Sequence, residues 1–100
     1  MLIHISLVNF KSEMTESDKK ISAVKLKEGL ENLSGKIDGL IDIKVENLLL
    51  DSSTADMLVI AKFTTKAALE RYNNSPLLFN VQSVLNKIER LDMADYIATE

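Results

Sequence analysis

His4 is the only histidine in this 100-residue chain, and it lies in the first apolar segment. An imidazole changes protonation state near neutral pH, so His4 is a candidate acid or base. Strand alternation places it on one face with Ser6, Val8 and Phe10. The alternative is a structural histidine bonded to a backbone or hydroxyl group. We favour that alternative, because acid–base catalysis usually needs a second polar group held nearby.

Tyr72 is the second candidate, because it stands at the end of a short predicted helix, just before the break at Asn73–Pro76. A phenol there can donate a hydrogen bond to a ligand oxygen while its ring packs on apolar groups. It can equally cap the core with its hydroxyl in water, and composition does not decide between the two.

The remaining polar residues favour structural roles. Asp51 and Asp56 flank a turn, but their spacing matches no calcium loop, so we interpret them as solvated. Asp95–Tyr96 is interpreted as a structural pair near the end of the last strand. The chain has no cysteine, which excludes disulfides, thiolate catalysis and cysteine metal sites. It also has no phosphate-binding or dinucleotide glycine motif. We therefore predict no metal and no cofactor.

Composition indicates one ordinary globular domain over residues 1–100, with 46% hydrophobic and 27% charged residues. The net charge of -3 argues against nucleic acid or an anionic membrane as a partner. The first apolar run carries His4 and Ser6 and follows no basic stretch, so it resembles a strand and not a signal peptide. A cytoplasmic location is the resulting expectation.

The predicted order of elements is strand, helix, strand, strand, broken helix, strand. Thr15–Asp18 resembles a capping box, Thr64-Thr65 can cap the second helix, and Ser34–Gly35 is a good helix stop. Gly29 should weaken that first helix by about 1 kcal/mol relative to alanine. This order indicates an α+β, ferredoxin-like βαββαβ subunit with helices on one face of a four-stranded antiparallel sheet. The predicted strands are 2–10, 40–50, 56–63 and 91–98, and the predicted helices are 15–33, 66–72 and 76–88.

The first helix is expected to bury Ile21, Val24, Leu26, Leu30 and Leu33, which keep mostly to one side. The cleanest helical stripe of the chain follows Pro76, and it consists of Leu77, Leu78, Val81, Val84, Leu85 and Ile88.

Two predicted strands are apolar on both faces, although the helices can cover only one. Burying each large aliphatic side chain is worth roughly 1.5–3 kcal/mol, so an uncovered apolar face favours a homodimer in which one patch complements itself. Loops or the C-terminal residues could cover this face instead. The residues expected at the dimer interface are Ile3, Ile5, Leu7, Leu58 and Ile60.

Several segments together resemble a known family, the stress-responsive A/B barrel (Dabb) domains of the dimeric α/β barrel superfamily. The likeness covers nearly the whole chain. It implies that two ferredoxin-like sheets pack face to face as a homodimer, and that each subunit has a pocket between sheet and helices. The matching segments are His4, Phe10-Lys11, the strand 56–63, Ala68–Tyr72, Pro76 and Asp95-Tyr96.

In family members with known activity, a plant polyketide cyclase among them, the pocket uses a tyrosine and a histidine. Tyr72 fits the tyrosine position. The family often shows Tyr-x-x-His-Pro-x-His, whereas here Ser75 and Leu78 replace both histidines. Leucine cannot move a proton, so the histidine role of the cyclase is not filled at Leu78. With Leu78 and Met57 near it, the pocket should also be more apolar. The residues expected to line it are His4, Ser6, Val8, Met57, Val59, Tyr72, Leu78 and Val81.

The leading functional hypothesis is therefore a homodimer that binds a small, mostly apolar molecule without a defined reaction. The alternative is an enzyme, such as a cyclase, an isomerase or a cofactor-free oxygenase, that acts on an aromatic or polyketide-like substrate. His4 and Tyr72 would then supply proton transfer and orientation. An ACT-like module would favour a glycine within residues 9–14, where there is none. An RNA-binding domain would need more strand aromatics and a basic surface.

Overall fold

The computed structural model describes residues 1–99, and it has the predicted order of elements around one four-stranded antiparallel sheet. The strand order is β2-β3-β1-β4, which confirms the ferredoxin-like subunit. The elements are β1 (Leu2–Phe10), α1 (Glu16–Glu31), β2 (Leu40–Glu46), β3 (Met57–Phe63), α2 (Lys66–Asn73), a 3-10 helix (Pro76–Val81), α3 (Gln82–Leu85) and β4 (Ile88–Ile97).

Both longer helices begin at the threonine caps that the sequence indicates. Thr15 Oγ1 accepts the backbone N–H of Asp18 at 3.0 Å, and Thr65 Oγ1 accepts that of Ala68 at 3.2 Å. Each cap satisfies a backbone donor that has no partner inside the helix. These caps fix where α1 and α2 start relative to the ends of β1 and β3, and so they fix the helix layer over the sheet.

The prediction for the buried side of α1 is wrong in part. Ile21 and Val24 are 53% and 47% exposed. Positions three, four and seven apart share a helix face, so the buried row runs from Ala23 through the three leucines and leaves Ile21 and Val24 on the other side. The buried row consists of Ser22, Ala23, Leu26, Leu30 and Leu33.

Two predicted boundaries are also wrong. The segment from Pro76 is not one helix to Ile88, because six residues of 3-10 helix lead into a single α-helical turn and Ile88 already pairs with Phe10. Strand β2 ends at Glu46 and not at Leu50, because Glu46 pairs with Leu58, next to the first residue of β3. At Ile88, pairing within the sheet overrides an apolar helical stripe. After Glu46 the partner strand ends, so residues 47–50 stay outside the sheet.

Strand alternation divides the sheet into a buried and an open face. Residues at even positions of β1 and odd positions of β3 point toward the helices, and Met57, Ala61 and Phe63 have no exposed surface. The opposite side, which we call the open face, carries Ile5 paired with Ile60 and Leu7 paired with Leu58. Leu7 is 39% exposed, so part of this apolar face is uncovered in a single chain.

Side chains of α1 form hydrogen bonds with backbone groups on the free edge of β2. The Val45 N–H donates to Glu31 Oε2 at 2.9 Å, and Lys27 Nζ donates to the Val45 carbonyl oxygen at 2.6 Å and to Glu31 Oε2 at 3.0 Å. The N–H of Val45, and secondarily Lys27, hold the pKa of the Glu31 carboxyl below its usual range of about 4.5, although partial desolvation opposes them. This edge lock, formed by Lys27, Glu31 and Val45, fixes α1 against β2 and blocks further strand pairing there.

No helix among residues 1–99 is both long enough and apolar enough to cross a membrane.

Candidate active site

His4, Ser6 and Asp95 form one hydrogen-bonded chain. His4 and Ser6 are two residues apart on β1, so both point toward the helices. Asp95 lies directly opposite His4 in the β1–β4 register, and its Oδ1 contacts His4 Nδ1. Ser6 Oγ lies 3.0 Å from His4 Nε2. When His4 is neutral, the carboxylate accepts the Nδ1–H, so Nε2 presents its lone pair to the serine hydroxyl.

The three side chains differ sharply in exposure. His4 and Ser6 are only 4% and 6% exposed, whereas the side chain of Asp95 is 46% exposed. The reason is the position of β4, whose residues from Glu89 to Ile97 are all exposed because the helices cover the other three strands. The hydrogen-bonded chain of side chains thus runs from Asp95 at the solvent, through the buried imidazole of His4, to Ser6 inside the protein.

Tyr72 faces the same region from the last turn of α2. Its ring centroid lies 6.2 Å from that of His4 and 5.5 Å from that of Phe63. Burial raises the pKa of Tyr72 to about 12, so the phenol remains a neutral hydrogen-bond donor at physiological pH. Within the described residues, every fully buried side-chain polar atom has a partner and no hydrogen bond involves Tyr72 Oη, so this hydroxyl keeps accessible surface.

These groups lie on one wall of a cavity of about 170 Å³ between the sheet and the helices. The rest of its wall is apolar, apart from Asn73 at one end. Of the eight residues expected to line a pocket, the structure brings six to this cavity: His4, Ser6, Val8, Val59, Tyr72 and Leu78.

Two expected lining residues lie elsewhere in the core. Met57 is fully buried and points into packed side chains, and Val81 packs against Gly29 of α1. Apolar residues that the sequence analysis did not assign to a pocket complete the wall: Leu26, Leu30, Leu85, Ile88, Leu91 and Met93.

Asp95 is the main residue that sequence reasoning missed. Asp95 and Tyr96 were interpreted as a pair, but adjacent strand residues point to opposite faces, and Tyr96 lies opposite Ile3 on the open face. Only the β1–β4 register brings Asp95 to His4, and no local pattern encodes that register. Asp56 has a structural role, since its Oδ2 accepts the Phe10 N–H at 2.9 Å, and Asp51 lies exposed in the turn.

The described residues 1–99 contain no cluster of three or more histidine, cysteine, aspartate or glutamate residues arranged to hold a metal ion. The polar groups at the cavity are a serine–histidine–aspartate hydrogen-bonded chain on the sheet and a neutral phenol on α2, and both kinds of group can donate or accept a proton or a hydrogen bond.

Comparison with known proteins gives one family and a set of similar folds. The model of the stress responsive A/B barrel domain family (Dabb) matches residues 2–98. A dimeric protein of unknown function and ferredoxin-like fold from Bacteroides fragilis is 21% identical, with a TM-score of 0.87 over 95% of this chain and 93% of its own. A comparison with curated proteins finds no match to this sequence.

Two further solved structures share the fold. A Dabb family protein from Mesorhizobium loti is 19% identical, with a TM-score of 0.71 over 99% of this chain and 97% of its own. A hydroxynitrile lyase from Passiflora edulis is 16% identical, with a TM-score of 0.72 over 99% of this chain and 94% of its own. Identities this low show a shared fold and leave the chemistry to be argued from the site itself.

Proposed function

This chain belongs to the stress responsive A/B barrel domain family, and from that premise we propose that it is a single-domain homodimer whose subunits each bind a small, mostly apolar molecule between sheet and helices. The observation that carries the proposal is the composition of the cavity wall. Apolar side chains surround about 170 Å³, and the polar groups of Ser6, His4 and Tyr72 converge on one side. A site of this kind takes an apolar body with one polar group.

The size of the cavity narrows the ligand class. A volume of about 170 Å³ suits a molecule of roughly one ring, and Leu91 and Met93 at the exposed strand β4 leave room for a substituent to extend toward solvent. The polar group of the ligand would meet a phenol donor and a serine hydroxyl, so a carbonyl or hydroxyl oxygen is the best match.

The open face supports the dimer. Its centre is apolar, with Ile5, Ile60, Leu7 and Leu58 in directly paired positions. Ion pairs flank that centre on the two outer strands, Lys44–Glu46 on β2 and Arg90–Asp92 on β4. An apolar centre with a charged rim is the usual anatomy of a protein interface, and the Bacteroides fragilis protein of the same fold is dimeric.

Titration of the ¹⁵N-labelled protein with cyclohexanone, followed by NMR, tests the binding proposal. We expect saturable shifts confined to the cavity lining. Leu78→Trp fills the cavity and should weaken binding at least tenfold, whereas Ile21→Trp on the exposed side of α1 should leave it unchanged. Shifts that do not saturate, or that persist in Leu78→Trp, would contradict a binding site in this cavity.

A second candidate function is favoured by one observation, the contact between Asp95 and His4. A carboxylate that orients an imidazole is the arrangement of a general base, so an enzyme acting on a small aromatic or polyketide-like substrate is the alternative proposal. His4 would transfer the proton and Tyr72 would orient the substrate. The ketonisation rate of the enol of 1-phenylbutane-1,3-dione should then fall in both His4→Ala and Tyr72→Phe; a rate that survives both changes would remove this candidate.

A further inference from the structure

We propose that Ser6 is the residue that touches the reacting atom, passing a proton between the substrate and His4, and that the substrate is a small ketone with a C–H bond next to its carbonyl group. This inference rests on the proposed binding cavity and goes beyond it by naming a catalytic residue and a reaction class. The observation behind it is the Asp95–His4–Ser6 chain, which ends inside the cavity.

The order of the hydrogen bonds, from Asp95 to His4 to Ser6, gives each residue a separate role. His4 is 4% exposed and its two ring nitrogens are both occupied, Nδ1 by Asp95 and Nε2 by Ser6 Oγ at 3.0 Å. A substrate in the cavity therefore meets the basic nitrogen through the serine hydroxyl. Asp95 touches no substrate in this arrangement and is a positioning residue, because it fixes the tautomer that leaves Nε2 free to accept.

Tyr72 supplies the complementary group. Its ring centroid is 6.2 Å from that of His4 on the same wall of the cavity, and its accessible hydroxyl makes no hydrogen bond within the described residues. A neutral donor beside a proton acceptor suits a carbonyl compound, whose oxygen becomes negative as the neighbouring carbon loses a proton. The apolar wall strengthens that hydrogen bond by excluding water.

The proposed step balances without another reactant. The substrate C–H bond breaks and its proton goes to Ser6 Oγ, while the hydroxyl proton of Ser6 goes to His4 Nε2. The electron pair of the C–H bond moves into the enolate, and the Tyr72 hydroxyl stabilises its oxygen. The imidazolium is held by the Asp95 carboxylate. Return of the protons to a different carbon completes an isomerisation.

A nucleophilic role for Ser6 fits the structure poorly, although serine, histidine and aspartate are the residue types of acyl transfer. That chemistry needs backbone N–H donors beside the serine to stabilise an oxyanion. Ser6 lies in the middle of β1, opposite Val59 of β3 on one side and Met93 of β4 on the other. The backbone groups around it are therefore used in the sheet.

Isomerisation of cyclohex-3-en-1-one to its conjugated isomer tests the proposal, because ultraviolet absorbance follows the product directly. We expect wild-type protein to catalyse it and Ser6→Ala to lower kcat by about 100-fold, the scale of general acid–base catalysis. Ser6→Thr restores the hydroxyl and should recover most of the rate. Asp95→Asn should lower kcat while the NMR-measured Kd for cyclohexanone stays within twofold. Asp51→Asn, in the exposed turn before β3, is the matched control.

The outcomes separate this inference from the binding proposal. If cyclohexanone binds the wild-type cavity but Ser6→Ala and wild type isomerise the ketone equally, or neither does, the relay is wrong and the binding proposal stands. If cyclohexanone does not bind, both proposals fail. Stoichiometric acetylation of Ser6 by p-nitrophenyl acetate, located by mass spectrometry, would overturn the relay in favour of a nucleophile.

Discussion

Gly29 and Val81 are in direct packing contact where α1 crosses the 3-10 helix. A Cβ placed on Gly29 would lie 2.1 Å from Val81 Cγ1, far closer than two carbon atoms can approach. By helix propensity alone, Gly29 is a weak point of α1. Its absent side chain instead lets the two helical segments approach closely, and this approach holds Leu26 and Leu30 of α1 in the cavity wall.

Gly29→Ala should therefore destabilise the protein, although at an exposed helix position alanine is more favourable than glycine by about 1 kcal/mol. Overpacking of this kind costs typically 1–3 kcal/mol, which exceeds the helix-propensity gain. Urea denaturation measures the difference. Val81→Ala makes room for the added methyl group, so the double variant should lose less stability than the sum of the two single losses. A more stable Gly29→Ala variant would show that the helices separate at little cost.

The edge lock should make the free energy of unfolding depend on pH in the acid range. The pKa of Glu31 is lowered in the folded protein, mainly by the Val45 N–H, so its contribution is present above the unfolded value of about 4.5 and is lost as pH falls toward the lower folded value. Glu31→Gln should reduce the free energy of unfolding at pH 7 and remove part of its decline between pH 5 and pH 3.

Urea denaturation at several pH values measures this effect, and Glu28→Gln, an exposed position one turn earlier on α1, is the matched control. Equal pH profiles for wild type and Glu31→Gln would mean that the edge lock contributes no pH-dependent stability.

Leu7→Asp should separate the proposed dimer. Leu7 is 39% exposed in a single chain, so an aspartate there remains hydrated in the monomer but would be desolvated against a second open face. At micromolar concentration, sedimentation equilibrium should give about twice the 11.2 kDa chain mass for wild type and the chain mass for Leu7→Asp. Ile21→Asp, on α1, should stay dimeric. A wild-type protein that sediments as a folded monomer would refute the assembly.

Local signals were sufficient for most of the fold. Thr15 and Thr65 marked the starts of helices, and alternation in β1 and β3 assigned His4 and Ile5 to opposite faces. One of the wrong predictions, at Ile88, shows why local signals fail: a helical stripe competed there with a long-range strand pair, and the pair is formed. Spacing alone cannot show which of two such alternatives has the better tertiary partner.

The candidate site was predictable only in part, for the same physical reason. His4, Ser6 and Tyr72 carry side-chain chemistry that is visible in the sequence. Asp95 contacts His4 across 91 positions, and its role depends on the register between β1 and β4. A shift of one residue would place Tyr96 or Ala94 opposite His4 and would break the chain.

If the proposed ligand binds, the exposure of β4 should set how fast it exchanges with solvent. Leu91 and Met93 border the cavity and are also 47% and 62% exposed, so these two side chains on an outer strand link the cavity wall to bulk water. Exposed side chains change rotamer in picoseconds to nanoseconds, whereas helix displacement takes microseconds or longer. Ligand departure at β4 therefore needs no backbone rearrangement, and residence times should follow contact strength alone.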